Sequence, residues 1–249
     1  MSRWLEAKVI ENRPWTQSLF SLRVTQDPGA APLAFRAGQF VRIALDVGGE
    51  RVARAFSFVN PPQDPVLEFY GVVVPEGPLS PRLATLRSGN TLYVADNPSG
   101  FLVLEEVPEA EDLWLVSTGT GIAPFLSILR TGECWRRFRR VILVHGARRA
   151  PELVYRELIE GVRRERGASF HYVPMLSRER APGALEGRIP AAIGDGRLEA
   201  AAVPIRADSQ FMLCGNPEML KDVQAVLAAR GLRKHRRREP GQITVESFW

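Results

Sequence analysis

Along the first hundred residues, apolar positions come in short runs or alternate with polar ones. Leu5–Ile10, Leu19–Val24, Phe40–Leu45, Val52–Val59, Val66–Val74 and Thr91–Val94 each carry this pattern, which has the two-residue period of a half-buried strand. Turn-forming pairs separate them at Pro28-Gly29, Gly48-Gly49, Pro61-Pro62 and Gly89-Asn90. Six such strands predict a closed antiparallel barrel. One short helix interrupts them from about Pro81 to Leu86, with Ser80 as its expected N-cap.

From about residue 110 the pattern switches to strands alternating with helices. Leu113–Ser117, Val141–Val144, Phe170–Leu176, Phe211–Cys214 and Ile243–Phe248 read as strands, and Ile122–Leu129 and Pro151–Glu165 as helices. The helix after Cys214 has the fullest set of signals. Asn216 caps it, Pro217 opens it, Met219, Leu220, Val223, Val226 and Leu227 form its apolar stripe, and Gly231 ends it. Pro182–Ala202 shows the least pattern. Alternation of this kind implies a parallel sheet flanked by helices, with ligands beyond the carboxyl ends of its strands. Two domains are expected: residues 1–103 as a barrel and residues 104–249 as an α/β nucleotide-binding domain.

Composition narrows the function classes. The chain has 249 residues, a net charge of +5 and two cysteines, Cys134 and Cys214. There is no apolar run of membrane-spanning length and no signal-peptide core near the start, so the expectation is a cytoplasmic protein. Two cysteines are too few for a four-cysteine cluster. His145 and His171 have no partner pattern for catalysis or metal, so no metal is expected. Much of the positive charge sits in Arg233-Lys234-His235-Arg236-Arg237-Arg238. No aromatics are interleaved there, which disfavours nucleic acid; an acidic protein partner or a plain solvated loop both fit.

The chemistry concentrates in three places. Ser117-Thr118-Gly119-Thr120-Gly121-Ile122-Ala123-Pro124 joins an apolar strand to a helix through two glycines, a geometry that presents backbone N–H groups to a pyrophosphate. Alone it also fits an ordinary strand–helix turn, and it lacks the Lys-Ser/Thr of a P-loop. Arg54-Ala55-Phe56-Ser57 lies upstream and Cys214-Gly215-Asn216-Pro217 downstream.

Taken together and in this order, these segments resemble the ferredoxin–NADP reductase family, specifically the bacterial ferredoxin (flavodoxin)–NADP reductases that end in an aromatic pair. Arg54-Ala55-Phe56-Ser57 is similar to the family's R-x-[YF]-S flavin motif, and Gly77-Pro78-Leu79-Ser80 to its second flavin segment. Ser117–Pro124 resembles its NADP pyrophosphate loop, and Cys214-Gly215-Asn216-Pro217 its nicotinamide-side turn.

The resemblance implies a Greek-key barrel holding one non-covalent FAD and an α/β domain binding NADP(H). A hydride passes between nicotinamide and flavin, and single electrons pass to ferredoxin or flavodoxin. Arg54 would pair with the flavin pyrophosphate, Phe56 would lie against the flavin ring, and Ser57 would bond its N5. In the segment Glu68-Phe69-Tyr70-Gly71-Val72, backbone groups and Phe69 would line the ring, with strand packing as the alternative. Arg148, Arg178 and Arg188 match positions that grip the 2′-phosphate of NADP. Cys214 would shape the nicotinamide pocket and Glu246 would tune binding or relay a proton. Of the terminal pair, Phe248 and Trp249, the second is expected against the FAD adenine. A monomer without nucleic-acid or membrane partners is expected. The nearest rival is an NADPH-dependent reductase component of an oxygenase, or a free flavin reductase.

Overall fold

The structure, a computed structural model, describes residues 3–26 and 32–247; Phe248 and Trp249 therefore lie outside the described residues. The six amino-terminal strands are β1 (Trp4–Pro14), β2 (Leu19–Gln26), β3 (Phe40–Val47), β4 (Glu50–Ser57), β5 (Val66–Val72) and β6 (Thr91–Ala95). They form one antiparallel sheet in the order β4-β3-β6-β1-β2-β5. Just past β4, Phe58 bridges Phe69 of β5, and the N–H of Val59 donates to Glu68 O at 2.8 Å. The two edge strands thus meet at one end, which closes the sheet into a barrel there. Inside it, Leu22, Ile43, Phe58, Leu67, Phe69 and Leu92 are fully buried.

The helix after β5 is α1 (Ser80–Ala84). Its N-cap position is Leu79, without a side-chain cap, so Ser80 does not have the capping role expected of it. Its hydroxyl instead accepts from the N–H of Val74 at 2.8 Å, pinning the connection to the end of β5.

The carboxy-terminal strands are β7 (Asp112–Thr118), β8 (Arg140–Ala147), β9 (Phe170–Leu176), β10 (Leu185–Glu186), β11 (Gln210–Gly215) and β12 (Ile243–Ser247). They pair in parallel in the order β10-β9-β8-β7-β11-β12. β7 shows why: both its faces are apolar, as a sheet covered by helices on each side requires. Leu113 and Leu115 pack on α2 (Ala123–Leu129), α3 (Glu133–Arg137) and α4 (Arg156–Arg166). Trp114 and Val116 pack on α5 (Ile189–Gly194), α6 (Arg197–Ala201) and α7 (Pro217–Ala229). The segment 182–202, patternless in sequence, holds β10, α5 and α6, three elements too short to show a period.

α7 follows its sequence signals. The Asn216 side chain accepts from the N–H groups of Glu218 and Met219, and Met219, Leu220, Val223 and Leu227 are buried. The α4 region differs from expectation. Residues 150–152 make a 3-10 turn, Tyr155 is left-handed (φ 58°), and the helix begins only at Arg156.

One core cluster joins the two sheets. It includes Leu19, Val59 and Tyr70 from the barrel together with α2, α4 and the near face of the parallel sheet. Ser127 on α2 also donates to Asn60 O at 2.7 Å.

Candidate functional site

Two cavities of about 490 and 470 Å³ open side by side between the sheets, and both are lined by Val72 and Thr120. Each gathers one set of the sequence motifs.

The first cavity is walled by Arg54, Ala55, Phe56 and Ser57 from β4, and by Gly77, Pro78, Leu79 and Ser80 at α1. Thr120, Ala123 and Glu246 enter from the parallel sheet, so both halves of the molecule build it. Three of its side chains carry buried polar atoms without a protein partner: the Ser57 hydroxyl, the Tyr70 hydroxyl and Glu246 Oε1. Orphaned buried polar atoms are uncommon in folded proteins. Three around one cavity mark a place for a group rich in hydrogen-bonding atoms. Burial raises the Glu246 carboxyl to about 7, opposed by a bond from the Phe101 backbone N–H. Burial also raises the Tyr70 phenol. Both groups are therefore protonated or close to the switch near neutral pH.

Phe69 does not line this cavity. It is buried in the barrel, edge-on to Phe56 at 6.5 Å and tilted on Phe58 at 5.5 Å. Its neighbours Tyr70 and Gly71 form the wall instead. The family resemblance gives this wall to the backbone of residues 68–72 and to the Phe69 side chain; the side chain that faces the opening is Tyr70, which points to the opposite face of β5.

The second cavity lies at the carboxyl ends of the parallel strands, as such sheets dictate. Thr118, Gly119 and Thr120 follow β7, Arg148 follows β8, Arg178 follows β9, and Arg188 follows β10. Gly215 and Asn216 close it from β11. All three arginines, spread over some forty residues of sequence, thus face one space, and all are exposed. Backbone bonds tie their loops together: Arg178 N–H donates to Arg148 O at 3.0 Å, and Arg148 N–H donates to Glu152 Oε2 at 3.0 Å. Glu152 and Asp222 also line the cavity and carried no signal in the sequence.

Glycine is required where β7 and β11 leave the sheet. A Cβ on Gly121 would lie 2.5 Å from the carbonyl oxygen of Cys214. Gly215 is left-handed at φ 132°, and a Cβ there would collide with Thr118. The Thr118 hydroxyl accepts from Asn216 N–H at 3.0 Å, locking the two turns together.

Cys214 is fully buried, pairs with Glu246 across β11 and β12, and lines neither cavity. Burial first, and then the neighbouring Glu246 charge, raise its thiol far above the ordinary range. It is an uncharged thiol beneath the floor. His145 is buried with its ring lowered to about 3 by burial and contacts Tyr172 at 3.4 Å, a packing role.

The comparisons with known proteins agree with this geometry. Residues 115–225 match the oxidoreductase NAD-binding domain family. Over the full length of both chains, the protein is 46% identical to a flavodoxin/ferredoxin–NADP reductase of Shigella flexneri. The chain belongs to the flavodoxin/ferredoxin–NADP reductase family. A ferredoxin–NADP reductase of Pseudomonas aeruginosa is 37% identical over 99% of this chain and 98% of its own. Among solved structures of the family, a ferredoxin NADP+ reductase from Neisseria gonorrhoeae with bound FAD and NADP superposes with a TM-score of 0.93, at 34% identity and complete coverage of both chains.

Proposed function

We propose that the chain is a ferredoxin/flavodoxin–NADP reductase with one non-covalent FAD in the first cavity and NADP(H) in the second. The observation that carries this reading is the junction: two cavities built from different sheets share Val72 and Thr120, so their ligands meet there. A bound FAD supplies the conversion between a two-electron hydride and single electrons.

The chain's own residues bind, orient and exclude water. Arg54 pairs with the pyrophosphate, Phe56 covers a ring face, and the Ser57 hydroxyl gains at the ring edge the partner it lacks within the protein. Backbone groups at Gly77–Ser80 hold the phosphates on one side. Thr118–Gly121, Gly215 and Asn216 hold those of NADP on the other. Arg148, Arg178 and Arg188 recognise the 2′-phosphate through charge-assisted bonds. Glu246 holds or yields a proton at Oε1 near neutral pH. Cys214 packs the floor beneath the nicotinamide, and the terminal Phe248 and Trp249 cover the FAD. The division near residue 103 separates the FAD-binding unit from the NADP-binding one, and the protein works as a monomer in the cytoplasm.

The electron carrier is an acidic protein. Arg233, Arg236 and Arg238 are exposed on a turn in which Arg236 bridges Glu239. Beside it Arg237 stacks 4.6 Å over the ring of Phe101, itself 59% exposed, and pairs with Glu106 at 2.7 Å. The Phe101 backbone in turn touches Glu246 of the first cavity. A basic, aromatic surface next to that cavity suits encounter with a negatively charged carrier.

Two measurements test the reading. Heat-released cofactor from the purified protein is expected to be FAD. Steady-state turnover with ferredoxin and flavodoxin is expected to prefer NADPH over NADH and to slow with added salt at subsaturating carrier. A colourless protein, release of FMN alone, or a preference for NADH would overturn it.

A further inference from the structure

Tyr155 is the one non-glycine residue with positive φ among the described residues. A bulky side chain in that backbone region is strained, and such strain persists only where the surroundings hold it. The surroundings here come from the other sheet. The Tyr155 hydroxyl donates to Glu68 Oε1 of β5 at 2.9 Å. Its ring lies 4.9 Å from Trp15 and 5.5 Å, edge-on, from Tyr70. Glu68 is further tied to Arg130, just past α2, at 3.7 Å.

Each partner leads to a cavity wall. Tyr70 lines the first cavity. Trp15 starts the turn in which both Trp15 N–H and Thr16 N–H donate to Leu19 O, at 2.8 and 3.3 Å, and the last two residues of that turn, Ser18 and Leu19, line the second cavity. Ser18 O also accepts from Val73 N–H at 2.7 Å, next to the shared Val72. On its own side of the molecule, Tyr155 lies three residues after Glu152, which holds the Arg148 backbone. Tyr155 itself lines neither cavity. It is a clasp: one strained residue of the parallel-sheet half grips the two barrel segments that shape the junction.

We propose that Tyr155 is a positioning residue for transfer between the two cavities, fixing their relative placement at Val72 and Thr120 without touching either ligand. The proposal rests on the two-ligand reading above. Misplacement of reacting groups by about 1 Å costs up to roughly 100-fold in rate while leaving binding intact. A side chain that merely fills the core would affect stability and both affinities together.

The test uses holoprotein of wild type, Tyr155→Leu, Tyr155→Phe and Glu68→Gln. Four quantities are read: the FAD content, the flavin reduction rate at saturating NADPH, the NADP+ dissociation constant, and backbone amide exchange in segments 15–19 and 70–73. For Tyr155→Leu the saturating rate is expected to fall about tenfold or more. FAD content and NADP+ affinity stay within about threefold, since contacts to the ligands are intact. Exchange in both segments accelerates. Tyr155→Phe keeps the rings and is expected to fall less, by about two- to fivefold, the scale of one lost hydrogen bond. A Tyr155→Leu protein with wild-type rate and exchange, or one whose rate falls only in step with lost FAD or NADP+, overturns the proposal.

If Tyr155→Leu does not fold, Tyr155→Phe and Glu68→Gln decide. Tyr155→Phe loses the hydroxyl–carboxylate bond and should slow the saturating rate by about two- to fivefold at unchanged NADP+ affinity, the scale of one lost hydrogen bond; Glu68→Gln keeps a neutral, weaker acceptor and should slow it in the same direction by less. Unchanged rates in both overturn it. Should wild-type protein not be reduced by NADPH, the functional reading fails instead, while accelerated exchange in the variants would still support the clasp.

Discussion

The two cavities are alike in size and share a wall, yet they are built on opposite principles. The first surrounds its occupant with buried, partly orphaned polar atoms: Ser57, Tyr70 and Glu246. Leaving such atoms unsatisfied costs free energy, so this cavity is at rest only when something fills it. The second offers Arg148, Arg178 and Arg188 at the surface, exposed to water that can satisfy their donors. A cavity that is unsatisfied alone suits a resident group; one that is satisfied by water suits a ligand that comes and goes. Strand-end geometry explains the second and barrel closure the first.

The contrast can be broken most severely at the junction. Gly121→Ala would drive a Cβ against the Cys214 backbone. It is expected to lower kcat by roughly 100-fold through misplacement of the two sites, read by steady-state kinetics alongside Tm. Retained activity would mean the turns at 121 and 214 do not set the geometry. Next in size, Arg178→Ala should cut kcat/KM for NADPH by about one to two orders of magnitude, the scale of one charge-assisted bond. NADH kinetics and FAD content should be untouched. Equal losses with both cofactors would make Arg178 structural and erase the distinction between the cavities.

Glu246 sharpens the contrast through pH. Its folded-state value of about 7 lies above the ordinary 4.5, so the native state holds this proton more tightly than the unfolded chain. The resulting stabilisation is complete below pH 4.5 and is lost as pH rises to about 7. Glu246→Gln should remove that slope, a difference of about 3 kcal/mol across the window, read by chemical unfolding at several pH values. Parallel curves for the two proteins would show the carboxyl to be well solvated. The smallest effect is expected for Ser57→Ala, which should weaken FAD binding by about 1 kcal/mol, measured by titrating the apoprotein with FAD. NADP+ affinity should be unchanged. Unaltered FAD affinity would remove Ser57 from the site.

Much of this was legible in the sequence because local signals and tertiary demands coincide. α7 begins and ends where Asn216, Pro217 and Gly231 indicate. The three arginines converge because each follows a strand, and strand ends in a parallel sheet point the same way. Legibility failed where tertiary contacts override the local pattern. Leu153-Val154-Tyr155 continues a helical apolar pattern, but the pull of Trp15, Tyr70 and Glu68 on Tyr155 turns the backbone left-handed and delays α4 to Arg156. Ser80 has the composition of a cap, yet its hydroxyl serves the Val74 N–H. Phe69 and Tyr70 are adjacent aromatics on opposite faces of β5, and only the closed barrel decides that Phe69 goes to the core and Tyr70 to the wall.

The most direct test of a resident site meeting an exchangeable one is anaerobic rapid mixing of the purified protein with NADPH and, separately, NADH. The architecture predicts a yellow protein, isolated with its FAD, whose colour bleaches at a rate that saturates with NADPH. Half-saturation by NADH should require at least about tenfold more, the loss of one or more 2′-phosphate contacts. A protein isolated without flavin, or one reduced by both nucleotides at equal concentrations and rates, would contradict it.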